Sequence, residues 1–172
     1  MLQYVMNIYL DMDDVVADWL PYAQDLLKMR WDDASGERIP QADWDRLKED
    51  LRFYSKLPIK PGAYELVDWC KRYTSRNPGT RLAFLTALPH DYSGQYASYD
   101  KVFWADKYFP GIPVFFGPFS HDKYRHCQGP NDILIDDRHS NCSEFIAAGG
   151  KAHVYKNWED CKLWLEKELG AI

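Results

Sequence analysis

Four groups of polar residues carry side chains able to act together on a phosphoryl ester: Asp11-Met12-Asp13-Asp14, Thr86, Lys123 and Asp136-Asp137. Carboxylates brought together without a partner repel one another, and their pKa values rise. A divalent cation removes that conflict. Two or three hard oxygen ligands suit Mg²⁺, which keeps several waters and accepts a phosphate oxygen. A lysine ammonium and a threonine hydroxyl can hold the remaining phosphoryl oxygens. One aspartate is then available to attack phosphorus. A second, two residues on, can protonate the leaving oxygen and later take a proton from water.

Such chemistry requires elements that deliver these groups to one place. Residues 4–10 are apolar, include Val5 and Ile8, and stop abruptly at Asp11, as a buried strand would. The runs 81–86 and 132–137 read the same way and end at Thr86 and at Asp136-Asp137; 114–116 and 151–155 read as two more strands. Helical spacing recurs over 19–31, 41–53, 99–108, 140–148 and 158–169, and through Leu66, Val67, Cys70 and Tyr73. Loops are expected at 32–36, at 89–94 and around Lys123. Strands alternating with helices imply a mostly parallel sheet covered on both faces. In such sheets ligands sit beyond the carboxyl ends of the strands. Pro58 to Gly62 interrupts the chain, with two prolines and a glycine in five residues. The helices before it therefore read as an insert. The expected organisation is an α/β core of residues 1–18 and 58–172 with a small helical cap, residues 19–57, inserted after the first strand.

Composition narrows the classes. A chain of 172 residues fits one domain, and 46% hydrophobic with 16% aromatic residues supplies a real core. The net charge of −5 argues against a nucleic-acid partner, which needs a basic face, and leaves a small phosphorylated substrate open. No apolar run reaches the roughly 18–20 residues that cross a bilayer, so no membrane partner is expected. The stretch from Met1 to Asn7 lacks a basic n-region, and no secretory leader is expected. Cys70, Cys127, Cys142 and Cys161 form no C-x-x-C pair, which fits reduced thiols in the cytoplasm. Cys127, His139 and Cys142 lack the second close pair of a zinc site. The five histidines show no catalytic spacing. A homodimer is left open.

In order along the chain, Asp11-Met12-Asp13-Asp14-Val15, Leu85-Thr86, Lys123 and Leu134-Ile135-Asp136-Asp137 resemble the four motifs of the haloacid dehalogenase superfamily. The run from Asp11 to Trp19 resembles the D-M-D-G-V-L-A-D-F opening of its 5′(3′)-deoxyribonucleotidase branch. Leu134 to Arg138 resembles that branch's L-I-D-D-R, and Lys101 to Phe109 its K-x-x-W-x-x-K-Y-F helix; Asp122-Lys123 and the stretch from Leu57 to Ala63 match as well. The resemblance implies a Rossmann-like core with a helical cap and a Mg²⁺-dependent phosphatase of (deoxy)ribonucleoside monophosphates. In it, Asp11 is the nucleophile and a metal ligand. Asp13 is the general acid/base and a ligand through its carbonyl. Asp137 is the direct carboxylate ligand, with Asp136 beside it. Thr86 and Lys123 hold the phosphate, and Trp19 stands where a cap aromatic contacts the base. Lys101, Lys107 and Arg138 add positive charge nearby. Two positions depart from the pattern. Asp14 replaces a glycine. Ala87 replaces a serine, leaving its backbone N–H for the substrate.

Other readings compete. The same chemistry could serve another small phosphomonoester or a nucleic-acid 3′-phosphate end. A signalling receiver domain also gathers acidic residues, Thr and Lys around Mg²⁺. It needs a phosphoacceptor Asp at the end of a middle strand, and the strand ending at Thr86 offers none. A nucleotide-binding protein without catalysis is the fourth reading, against which Asp11 and Asp13 both stand intact. The remaining aromatics of the insert, Trp31, Trp44, Phe53 and Tyr54, read as packing residues, and Trp104 as core.

Overall fold

Five short strands form one sheet: β1 (Met6–Leu10), β2 (Thr80–Thr86), β3 (Val114–Phe116), β4 (Ile133–Asp136) and β5 (Lys151–Val154). Their order is β3-β2-β1-β4-β5, and the pairings between neighbours are all parallel. The structure, a computed structural model, describes residues 6–28, 39–50, 52–89 and 96–172. The expected loop at 32–36, most of the one at 89–94, the first residues of the expected strand 4–10, and Trp31 lie outside them.

β1 is central and buried on both faces, which explains why it is apolar apart from Asn7, whose side-chain N–H donates to Asp132 Oδ1 at 3.0 Å. Ile8 and Leu10 enter the larger core, together with Leu66, Val67, Trp69 and Cys70 of α3 (Ala63–Arg76), Trp104 of α4 (Ala97–Tyr108) and Leu165 of α6 (Trp158–Leu169). Tyr9 points the other way. It joins Ala83, Leu85, Leu134 and Phe145, the last from α5 (His139–Ala147). Strand residues thus alternate between two apolar layers. The result is the expected α/β, Rossmann-like arrangement. Gly62 starts α3 at φ +85°, and a Cβ there would meet the Trp158 Cβ at 2.7 Å. The glycine therefore supplies both the left-handed turn and the close approach of α6.

Between β1 and α3 lie α1 (Trp19–Leu27), α2 (Gln41–Lys48) and a 3₁₀ turn at Phe53–Ser55. Both helices are shorter than their periodicity suggests. α1 stops where Lys28 turns left-handed (φ 55°) and its N–H caps the carbonyls of Gln24 and Asp25. Beyond α2, Asp50 organises a turn. Its carbonyl accepts the Phe53 N–H at 3.1 Å and its carboxylate the Arg52 N–H at 3.2 Å. Trp19, Ala23, Leu27, Leu47, Phe53, Tyr54 and Leu57 belong to the same buried cluster as the sheet's larger face, so the insert rests directly on the core.

Candidate active site

The sheet order places a topological switch beside β1. Its successor β2 lies on one side and β4 on the other, and in such sheets ligands sit beyond the carboxyl ends of the strands at this point, here β1 and β4. Asp11 follows β1; Asp136 ends β4 and Asp137 follows it. One oxygen from each of these three carboxylates lies within 4.8 Å of the others.

The chain leaves β1 through a tight turn. The Asp11 N–H donates to the Ile135 carbonyl at 2.9 Å, which ties the turn to β4. The Met12 carbonyl then accepts from the N–H groups of Val16 (2.9 Å) and Ala17 (2.8 Å). Asp14 sits at φ 60°, where the resembling sequences carry glycine. Aspartate tolerates this region because its short side chain hydrogen-bonds locally. Here its Oδ1 accepts the Leu20 N–H at 2.9 Å, inside the first turn of α1. Asp18, at the N-cap position, makes no side-chain cap bond, so Asp14 supplies that acceptor.

Lys123 comes from a 3₁₀ segment, Ser120–His126, where a loop was expected. Its ammonium is buried (2% exposed) and donates to Asp11 Oδ1 and to Asp136 Oδ2, each at 2.7 Å. A lysine has three donors, so one N–H remains beyond these two. Burial acts to lower the Lys123 pKa, but the two carboxylates outweigh it and hold the group above its usual range. Asp136 is fully buried. Its oxygens also accept from the Arg138 N–H (2.9 Å) and the Asn141 side chain (3.1 and 3.2 Å). Asp136 is thus held by Lys123, the Arg138 N–H and Asn141.

On the β2 side of β1, Asp13 and Thr86 share a second ammonium. Lys101 of α4, 2% exposed, donates to Asp13 Oδ2 at 2.6 Å and to Thr86 Oγ1 at 2.8 Å. The Thr86 hydroxyl accepts there, which leaves its proton for another acceptor. Ala87, half-buried, follows at the end of β2. The structure thus gathers Asp11, Lys123, Asp136 and Asp137 in one cluster and Asp13, Thr86 and Lys101 in another. Trp19 belongs to neither. It is 7% exposed, with its ring 5.6 Å from that of Trp44 and 5.9 Å from that of Phe53, so little of it is left for a nucleobase.

Two contributors stand outside the expected site. Asn141 holds both oxygens of Asp136. Lys101, expected only to add positive charge, touches the carboxylate and the hydroxyl directly. Its sequence signal was a lysine three residues before the buried Trp104 on one helix face.

Electrostatics mark the carboxylate cluster as over-charged. Burial, the Asp136 charge and the Asp13 charge raise Asp11 to about 6 against the opposing pull of Lys123. Asp137 is pushed well above the usual carboxylate range, first by burial and then by Asp11, Asp136 and Asp14. Burial lifts Asp14 to about 7, with Asp13 and Asp11 adding to it and the Leu20 N–H and Lys60 opposing. Converging oxygen-only ligands with one lysine among three carboxylates are the donor set of a hard divalent cation. The residues present therefore fit Mg²⁺.

Fold and site together define a parallel α/β protein with a carboxylate–lysine centre at its topological switch. No family model and no curated relative matches the sequence. Among solved structures, the chain is similar to that of a hydrolase from Streptococcus pneumoniae TIGR4. The identity is 13%, the match covers 96% of this chain and 100% of that one, and the TM-score is 0.51. A hydrolase from Pseudomonas syringae gives 14% identity, coverage of 94% and 98%, and a TM-score of 0.46. At such identity the first likeness shows a shared fold. Among the described residues no helix is long and apolar enough to cross a membrane.

Proposed function

We propose that this chain is a Mg²⁺-dependent phosphomonoesterase of the haloacid dehalogenase type, acting on (deoxy)ribonucleoside monophosphates through an aspartyl-phosphate. The observation that carries the reading is the approach of Asp11, Asp136 and Asp137 within 4.8 Å at the switch point, with Lys123 bonded to Asp11. Asp11 and Asp137, with the Asp13 carbonyl, would hold the metal, which supplies charge compensation for the phosphoryl oxygens. Asp11 attacks phosphorus. Asp13 gives a proton to the leaving oxygen, then takes one from the water that hydrolyses the aspartyl-phosphate. The third N–H of Lys123, the Thr86 hydroxyl and the Ala87 N–H hold phosphoryl oxygens. That a shared-fold neighbour is a hydrolase supports the reaction class. The four free cysteines fit a cytoplasmic setting.

The nucleoside part rests on the resemblance alone, whereas the burial of Trp19 favours a second reading, another small phosphomonoester. Phosphate release across the common nucleoside monophosphates, sugar phosphates, an aryl phosphate and a 3′-phosphorylated oligonucleotide, with and without Mg²⁺, decides between them. Mg²⁺-dependent turnover with the highest kcat/KM on nucleotides, and a lower one on the aryl phosphate, is expected. Asp11→Asn should lose turnover by at least about 10³-fold while keeping the circular dichroism of the parent. Retained activity in that variant would remove Asp11 as nucleophile.

A further inference from the structure

The helix that carries Lys101 is fastened to the insert at three points in one short segment. Asp100, 1% exposed, takes the guanidinium of Arg52, with the Arg52 Nε 3.0 Å from both carboxylate oxygens. The Lys101 ammonium lies 4.8 Å from the centre of the Tyr54 ring. The Trp104 indole N–H donates to the Leu57 carbonyl at 2.7 Å. Residues 100, 101 and 104 follow one face of α4, and residues 52, 54 and 57 run along it. Arg52 is held further by the rings of Tyr96 and Tyr99, 5.2 and 5.6 Å away. The guanidinium is therefore bracketed by a buried carboxylate and two aromatic faces, a geometry that lysine's point charge reproduces only in part.

The contact matters because of what lies beyond it. Lys101 is the only described link between Asp13 and Thr86, through bonds of 2.6 and 2.8 Å. These are the residues assigned above to proton transfer and to the phosphoryl oxygens. Asp100 and Lys101 are adjacent in the chain. A shift of α4 that breaks the Arg52–Asp100 pair moves the Lys101 ammonium with it, and about 1 Å of misplacement is enough to cost roughly 10²-fold in rate.

We infer that Arg52 and Tyr54 are positioning residues: through Asp100 and Lys101, the seating of the insert on α4 sets the alignment of Asp13 with Thr86. The inference rests on the phosphomonoesterase reading and goes beyond it, because it makes the insert part of the acid/base machinery for substrates of any leaving group. An insert that served only to recognise a nucleoside would not affect turnover of a small aryl phosphate.

The test therefore uses p-nitrophenyl phosphate with Mg²⁺ and compares wild type, Arg52→Ala, Arg52→Lys, Lys101→Met and the double variant Arg52→Ala/Lys101→Met. Arg52→Ala should lower kcat about 10- to 100-fold with KM changed less than about threefold. Arg52→Lys should recover part of that loss. In the Lys101→Met background, Arg52→Ala should add less than about twofold, because the residue through which it acts is already gone. Thermal melts of all variants accompany the kinetics, and each variant is assayed at least about 10 °C below its own midpoint. Wild-type kcat in Arg52→Ala, or full additivity in the double variant, overturns the inference while leaving the reaction class intact. A wild-type protein inactive on every phosphomonoester overturns the reaction class, and the inference with it.

Discussion

Asp14 shows how one side chain can couple the reacting turn to the insert. Its backbone occupies the left-handed region at φ 60°, and its carboxylate caps the first turn of α1 through the Leu20 N–H. Three substitutions separate these roles. Asp14→Ala loses the acceptor and strains the backbone, and should cost about 1–3 kcal/mol. Asp14→Gly loses only the acceptor, at about 1 kcal/mol. Asp14→Asn keeps an acceptor and tolerates the left-handed turn. It also removes a carboxyl whose pKa burial has lifted to about 7. At pH 8 the native carboxyl is mostly ionised in a place that disfavours ionisation, so the asparagine variant should melt at or above the wild-type temperature. Denaturant midpoints at pH 8 give the ranking. An asparagine variant less stable than the glycine variant would show that the cap bond is not what Asp14 contributes. The sequence shows an added carboxylate and raises the question of whether the turn needs glycine; the cap bond to Leu20 is not legible there, because it depends on how the turn folds against α1.

At the level of elements, the sequence disclosed the strands best. An apolar run that stops at a carboxylate or a hydroxyl reads as a buried strand, and the ends of β1, β2 and β4 fall at Leu10, Thr86 and Asp136. The insert is less legible, because its helix ends depend on local turns at Lys28 and Asp50 that periodicity does not register. The place of Lys101 is hidden for a related reason. A lysine on an amphipathic helix normally faces water, and only tertiary contact brings this one to 2% exposure. Trp19 is the converse case. Its place in the motif implied contact with a base, yet its ring is shared among Trp44, Phe53 and the core. Trp19→Ala should therefore act through packing, with a loss of about 3–5 kcal/mol in stability. Its KM for nucleotides and for an aryl phosphate should rise together, and Trp19→Phe should recover most of the stability. A KM increase confined to nucleotides, at unchanged stability, would restore the ring to the substrate.

For the molecule as a whole, the cost of gathering carboxylates at one strand edge should be visible in its stability against pH. An unfolded aspartate ionises near pH 4, whereas Asp11 in the fold does so at about 6 and Asp137 well above the usual range. Between those limits the folded state binds more protons than the unfolded chain. Stability therefore falls as pH rises through this window and stays lower above it. Lys123 does not offset the trend, since its pKa is raised and it stays charged from pH 5 to 8. A divalent cation reverses the balance because it binds the ionised carboxylates and competes with their protons. The stabilisation it confers, RT ln(1 + [Mg²⁺]/Kd), grows as the protons leave. Without Mg²⁺ the melting temperature should drop from pH 5 to pH 8. Addition of 10 mM MgCl₂, a concentration of order ten times a ~1 mM Kd, should raise it more at pH 8 than at pH 5, against NaCl of equal ionic strength. Asp137→Asn should flatten both effects, since it removes one of the three charges that share the cluster. Equal Mg²⁺ increments at the two pH values would mean that the carboxylates do not share an ion, and the reading of the switch point as a phosphoryl-transfer site would lose its electrostatic basis.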